Sequence, residues 1–147
     1  MKKLNRFICI ILVCGLLLAV PAQAESVTEP RGSAFFSSYG TDLYQITYNS
    51  FQIWFDVDAN VDTMDVLGVS EIVLYSSPNG QSWTKIEHYK MADFPQMVAN
   101  NTTSHDGYVT YNYTTQGYYY TARVTFYARN STGIGERDVY TEILRIL

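Results

Sequence analysis

Four oxygen-bearing side chains recur at alternate positions in Asp56-Val-Asp58-Ala-Asn60-Val-Asp62. D-x-D-x-N-x-D is the opening of a calcium-binding loop, where a sharp turn folds such oxygens around one cation. That turn needs glycine at the sixth position and a carboxylate at the twelfth; this chain has Val61 and Leu67 there. A strand end with acidic outward residues explains the same spacing, so no metal site is assigned to Asp56, Asp58, Asn60 and Asp62. The two histidines are His88 and His105. His105-Asp106 has the composition of a base with its orienting acid. Neighbours on a strand point to opposite faces, however, and no serine or threonine stands out as a nucleophile. No catalytic residue and no cofactor site is therefore assigned, and the chain is read as a non-enzyme.

The remaining chemistry is that of outward-facing aromatics and arginine. From Tyr118 to Arg129 the chain alternates strictly. Tyr120, Ala122, Val124, Phe126 and Ala128 share one face, and Tyr119, Thr121, Arg123, Thr125, Tyr127 and Arg129 share the other. A period of two in β-branched and aromatic residues is the pattern of a strand between a core and solvent. On such a strand Tyr119, Arg123 and Tyr127 lie in a row, with Tyr75 on a neighbouring strand and Trp54 on the outer face of a second sheet. Tyrosine, tryptophan and arginine dominate binding hot spots. Ordinary cross-strand pairing, with arginine stacked over rings, is the competing explanation.

Met1 to Arg6 is a short basic head, and Phe7 to Val20 is apolar. Pro21-Ala22-Gln23-Ala24 supplies the A-x-A pattern of a secretory signal, with cleavage expected after Ala24. The apolar run is shorter than the roughly 20 residues of a membrane span. Cys14 sits mid-run behind Val13, so neither a lipid anchor nor a stable membrane anchor is expected after cleavage. Cys9 and Cys14 leave with the signal, and residues 25–147 contain no cysteine. Disulfides, thiol nucleophiles and thiolate metal sites are thereby excluded from the mature chain, which must hold together by packing. Without Lys2, Lys3 and Arg6, seven basic residues face fourteen acidic ones, a net charge of −7. Such a chain repels phosphate backbones, which argues against a nucleic-acid partner.

Residues 25–42 are read as a flexible arm with an edge strand at 34–38, and residues 43–147 as one β-domain. Short strands are expected at 43–48, 51–58, 69–76, 82–89, 107–113 and about 137–146, besides the central one. Asn60 to Gly68 is read as a connection in which Thr63 to Val66 is able to form one helical turn. Ser77-Pro78-Asn79-Gly80 is the strongest turn signal and should close a hairpin. Met91 to Asp106 lacks any period and is expected to be a mobile loop. Six to seven short strands separated by turns predict an all-β fold, an antiparallel two-sheet β-sandwich.

Ala128-Arg-Asn130-Ser-Thr-Gly133, followed by a polar strand, resembles the end of fibronectin type III and related immunoglobulin-like domains, which carry an Ala-x-Asn-x-x-Gly turn there. Tyr75-Ser-Ser-Pro-Asn-Gly-Gln-Ser-Trp83 is similar to the hairpin between their third and fourth strands. The likeness spans residues 43–146. It departs at Phe55, which takes the usual place of a core tryptophan while Trp54 faces the other way. It departs again at Ala122, where a tyrosine is the rule and Tyr120 stands two residues earlier. The whole chain also resembles small secreted proteins of Gram-positive bacteria that carry a domain of unknown function. The shared features are Phe-Asp-Val, Thr-Met-Asp-x-x-Gly at Thr63 to Gly68, Ser-x-x-Gly-x-x-Trp, and Gly-Tyr-Tyr-Tyr before Val-Thr-Phe-Tyr-Ala. That resemblance implies export and one small β-domain, and no activity. Ser77 to Trp83 also resembles one aspartate-box hairpin of sialidase-like proteins, without its aspartate and one residue short; it is read as a turn.

The expectation is a secreted, non-enzymatic β-sandwich that binds an extracellular protein or glycan through Tyr75, Tyr119, Arg123, Tyr127 or Trp54. A structural role through sheet-edge pairing is the alternative, and a hydrolase the remote one.

Overall fold

Alternation along this chain produces strands almost everywhere. The computed structural model describes residues 34–60 and 62–147. In order these form β1 (Phe36–Thr47), β2 (Ser50–Ala59), β3 (Met64–Ser77), β4 (Thr84–Lys90), a 3-10 turn (Pro95–Met97), β5 (Val98–Thr102), β6 (Ser104–Tyr111), β7 (Tyr119–Asn130), β8 (Gly133–Tyr140) and β9 (Leu144–Arg145). The expected export signal and the first residues of the expected arm lie outside the described residues.

Two antiparallel sheets face each other. The smaller has the order β1-β2-β6; the larger has β4-β3-β7-β8, with β5 beside β3 and β9 beside β7. Leu43, Phe51, Ile53, Phe55, Val57 and Val109 from the smaller sheet meet Leu67, Val69, Ile72, Leu74 and the inward residues of β7. All five inward residues of β7, from Tyr120 to Ala128, are buried, as their alternation predicts. β7 lies inside its sheet, between β3 and β8.

Several elements differ from their sequence expectation, each for a local reason. The two short strands expected at 34–38 and 43–48 are one strand, β1, which pairs with β2 from Phe36 to Thr47. Its residues from 36 to 42 therefore belong to a sheet and not to an arm. Thr63 to Val66 is no helical turn: β3 begins at Met64. Met64 and Leu67 are both buried, and that spacing of three imitates a helix. Along β3 a bulge between Val69 and Glu71 then shifts the inward set from Leu67 and Val69 to Ile72 and Leu74. Met91 to Asp106 is no long loop. Met97 is fully buried, and β5 pairs with the first residues of β3. The polar sequence of β5, Val-Ala-Asn-Asn-Thr, hides it because backbone pairing, not an apolar face, holds it. The strand expected at 107–113 ends at Tyr111, and Tyr113 beyond it is 80% exposed. The last expected strand is broken at Thr141, whose N–H donates to the Ala122 carbonyl at 2.9 Å and whose hydroxyl accepts the Ala122 N–H at 3.0 Å.

Tyr120 joins the connection before β7 to the core. Its buried ring packs on Phe51 at 5.1 Å, while its hydroxyl accepts the Thr115 N–H at 2.7 Å. Removing only that oxygen leaves the ring in place and the amide without its acceptor. Tyr120→Phe is expected to cost about 1–2 kcal/mol in urea unfolding, and a cost near zero would mean that the amide finds water instead.

Candidate functional site

The outer face of the larger sheet is crossed by a polar ladder. His88 Nε2 on β4 lies 2.8 Å from Glu71 Oε2 on β3, and Arg123 Nη2 on β7 lies 2.6 Å from Glu71 Oε1. Arg123 Nη1 reaches Asp138 Oδ2 on β8 at 3.1 Å, and the Thr125 hydroxyl donates to Asp138 Oδ1 at 2.6 Å. The Glu71 and Arg123 contacts are diagonal cross-strand pairs, whereas Thr125 lies directly opposite Asp138; half-exposed ion pairs such as those of Arg123 contribute roughly 0.2–1 kcal/mol each. Arg123 thus has its charge committed to two carboxylates of its own chain. Its position in the sheet is as expected; it is not a free cation.

The other expected members separate. Tyr127 is only 8% exposed although it lies outside the core cluster; its cross-strand neighbours are Gly68 and Glu136. Tyr119 lies under Arg145, whose guanidinium carbon is 5.4 Å from the ring centroid, and beside Gly80 of the hairpin turn. The stacking arginine is therefore Arg145. Tyr75 lies on the same side of the ladder as Tyr119, one diagonal step away across β3 and β7, and Tyr127 lies on the opposite side. With Trp83, Thr121, Tyr140, Thr141 and Ile143 it lines an open cleft of about 460 Å³. Tyr140 and Ile143 are 61% and 57% exposed, respectively. At its floor the Thr121 hydroxyl lies 3.2 Å from the Thr141 carbonyl oxygen and 3.3 Å from the Thr141 hydroxyl. Thr141 also accepts the Ala122 amide, so both hydroxyls are used within the chain.

Sequence reasoning missed Trp83, Tyr140 and Ile143. Trp83 registers there only as part of a hairpin motif. That hairpin is built by Ser77, whose hydroxyl accepts the Gly80 N–H at 2.9 Å, and by Asn79, whose Oδ1 accepts the N–H groups of Gln81 and Ser82 at 2.9 and 3.0 Å. Tyr140 is found once register is known: it lies directly opposite Arg123.

Trp54 lies on the outer face of the smaller sheet, as expected. Its ring meets Tyr108 at 5.0 Å and Tyr44 at 6.3 Å, so one aromatic from each of three strands forms a row. Its indole N–H donates to Gln52 Oε1 at 3.0 Å, which fixes the ring's direction. Thr41, Asp42, Tyr44, Trp54, Phe55, Asp56 and Asp106 line a second open cleft, of about 450 Å³.

The residues weighed for metal or catalytic chemistry do not converge. Asp56 and Asp58 are outward residues of an extended strand, and among the described residues no group of three or more His, Cys, Asp or Glu side chains is arranged to hold a metal ion. His105 and Asp106 lie on adjacent positions of β6 and face opposite ways. The His105 ring packs on Phe55 and its Nε2–H donates to the Gln96 carbonyl at 3.0 Å, whereas Asp106 lines the outer cleft. Two phenols ionise with difficulty. Burial and then the charge of Glu87 push Tyr89 far above the usual tyrosine range; burial and then Tyr120 and Glu87 raise Tyr111. Neither lines a cleft described above.

The chain matches no protein-family model and no curated protein sequence.

Proposed function

We propose that this chain is a secreted, non-enzymatic binding module of fibronectin type III or immunoglobulin-like kind. Two observations support the fold reading. The strand order β1-β2-β6 against β4-β3-β7-β8 interleaves early and late strands in both sheets, as Greek-key sandwiches do. Near the start of β7, the Tyr120 hydroxyl binds backbone five residues upstream, the contact of a tyrosine corner. The tyrosine that seemed displaced in the sequence makes the contact from its own position.

The binding reading rests on the cleft between Tyr75, Trp83, Tyr140 and Ile143. Three aromatics and one aliphatic side chain rim it, two of them largely exposed. The two floor hydroxyls are already engaged within the chain. A sugar ring needs hydroxyl partners beside an aromatic platform, whereas an apolar side chain needs only the walls. The cleft therefore favours an apolar anchor from an extracellular protein, with Trp83 and Tyr140 as its hot spots.

The test uses the mature chain immobilised against cell-surface extract, with bound species identified and the extract treated beforehand by protease or by periodate. Trp83→Ala with Tyr140→Ser is expected to lower capture roughly ten-fold or more while the thermal midpoint stays within a few degrees. Capture unchanged by the double variant removes the cleft as the binding site. Loss of capture on periodate but not on protease treatment makes the ligand a glycan.

A further inference from the structure

Basic charge is confined to one of the two sheets, although that sheet also carries Asp65, Glu71, Glu87, Glu136 and Asp138. Among the described residues, Lys85, Lys90, Arg123, Arg129, Arg137 and Arg145 all lie on strands of the larger sheet. The strands of the smaller sheet carry Asp42, Asp56, Asp58 and Asp106 and no lysine or arginine. Three of these aspartates surround the cleft that contains Trp54. From this we infer that the outer face of the smaller sheet is a docking site for a basic peptide, whose lysine or arginine side chain enters the cleft and lies against Trp54.

The local structure is built for a cation rather than for packing. Asp56 stands directly opposite Asp106 across β2 and β6, an arrangement that is unfavourable for like charges. On its other side Asp56 faces Gly40 of β1, where an added Cβ would stand 2.8 Å from Asp56 Oδ1. Glycine there leaves room for the carboxylate to lean over β1 and into the cleft. One row further along, Asp42, Trp54 and Tyr108 are cross-strand neighbours. The indole is the strongest aromatic partner for a cation, and Tyr44 and Tyr108 flank it. A wholly apolar ligand would have to desolvate these carboxylates without compensation. An ammonium or guanidinium group supplies the missing charge and meets the ring face at once. Asp42 Oδ1 already accepts the Leu43 N–H at 2.7 Å, which holds that carboxylate at the rim.

This site is separate from the cleft on the larger sheet, so it stands or falls independently of that reading. The probe is acetylated, amidated penta-lysine, titrated into the mature chain carrying Trp83→Phe. The chain has two tryptophans, so Trp54 is then the sole indole reporter. At about 0.15 M salt, where exposed charges are screened beyond about 8 Å, a saturable change in Trp54 fluorescence is expected. Asp42→Asn, Asp56→Asn and Asp106→Asn together should weaken binding roughly ten-fold or more. The matched set Glu87→Gln, Glu136→Gln and Glu142→Gln removes as much charge from elsewhere and should weaken it less than about two-fold. Absence of a saturable response, equal weakening by the two sets, or an equal response to a neutral hexasaccharide would each overturn the proposal. Circular dichroism of each set guards against loss of fold. Should the aspartate set not fold, single Asp106→Asn must still weaken binding more than single Glu136→Gln.

Discussion

Gly68→Ala is expected to cost roughly 3–5 kcal/mol, more than any other glycine substitution among the described residues. Gly68 has φ +149°, a conformation that L residues rarely adopt. A Cβ there would overlap the carbonyl oxygen of Met97 and stand 2.7 Å from the Cα of Val98. Both are backbone atoms, so no rotamer change relieves the clash. Strained φ and overpacking each cost about 1–3 kcal/mol, and here they act together. The comparison is Gly117→Ala. Gly117 also has positive φ, +82°, but nothing lies within 4 Å of its added Cβ. That variant isolates the conformational term and should cost about 1 kcal/mol. The difference in urea midpoints between the two variants measures how closely the 3-10 turn and β5 press on β3. Equal midpoints would mean that the segment from 95 to 102 does not lie against β3 as described.

That prediction concerns the region where sequence reasoning was weakest. A strand announces itself in sequence when one face is apolar, because alternation then follows. β7 and β2 do so, and their inward residues were legible from Tyr120 to Ala128 and from Phe51 to Val57. β5 has no apolar face of its own, and only its backbone pairing with β3 defines it. β3 starts with buried Met64 and Leu67 three residues apart, which resembles another element, and its apolar face then changes phase at the bulge between Val69 and Glu71. Bulges and backbone-held edge strands are properties of pairing, and pairing is not written in a single strand's composition.

The candidate sites divide the same way. Alternation assigned Arg123, Tyr119, Tyr75 and Trp54 to outer faces. It said nothing of which neighbour each would meet, because that requires register. Register gives Arg123 two carboxylate partners, Glu71 and Asp138. Register likewise sets Tyr108 directly opposite Trp54 and Tyr44 one diagonal step away, so that the three rings meet. The segregation of positive charge onto one sheet was also invisible before the strands were sorted, since the linear sequence mixes β3, β4 and β6.

Phe126→Ala is expected to destabilise the domain by about 3–5 kcal/mol, and the reason lies in what the chain lacks. Residues 25–147 contain no cysteine, so no disulfide limits the unfolded ensemble. Stability then rests on packing, and domains of this size have only about 5–15 kcal/mol in total. Phe126 is fully buried at the middle of β7, and its ring lies 5.3 Å from that of Tyr39 on β1 across the interface of the two sheets. Truncation leaves a cavity bounded by both sheets, which cannot close without shifting their paired backbones. A fall of roughly 10–25 °C in thermal midpoint should follow. Phe55→Ala tests the opposite wall. The Phe55 ring occupies the space over Gly107, whose added Cβ would stand 2.8 Å from Phe55 Cζ. A loss of about 3–5 kcal/mol is expected there too. Tyr48, 76% exposed in the turn between β1 and β2, supplies the control: Tyr48→Ser should change stability by less than about 0.5 kcal/mol. The contrast matters more than either value. If both phenylalanines prove as tolerant as Tyr48, the two sheets do not share a core, and each outer cleft loses the rigid wall on which its geometry depends.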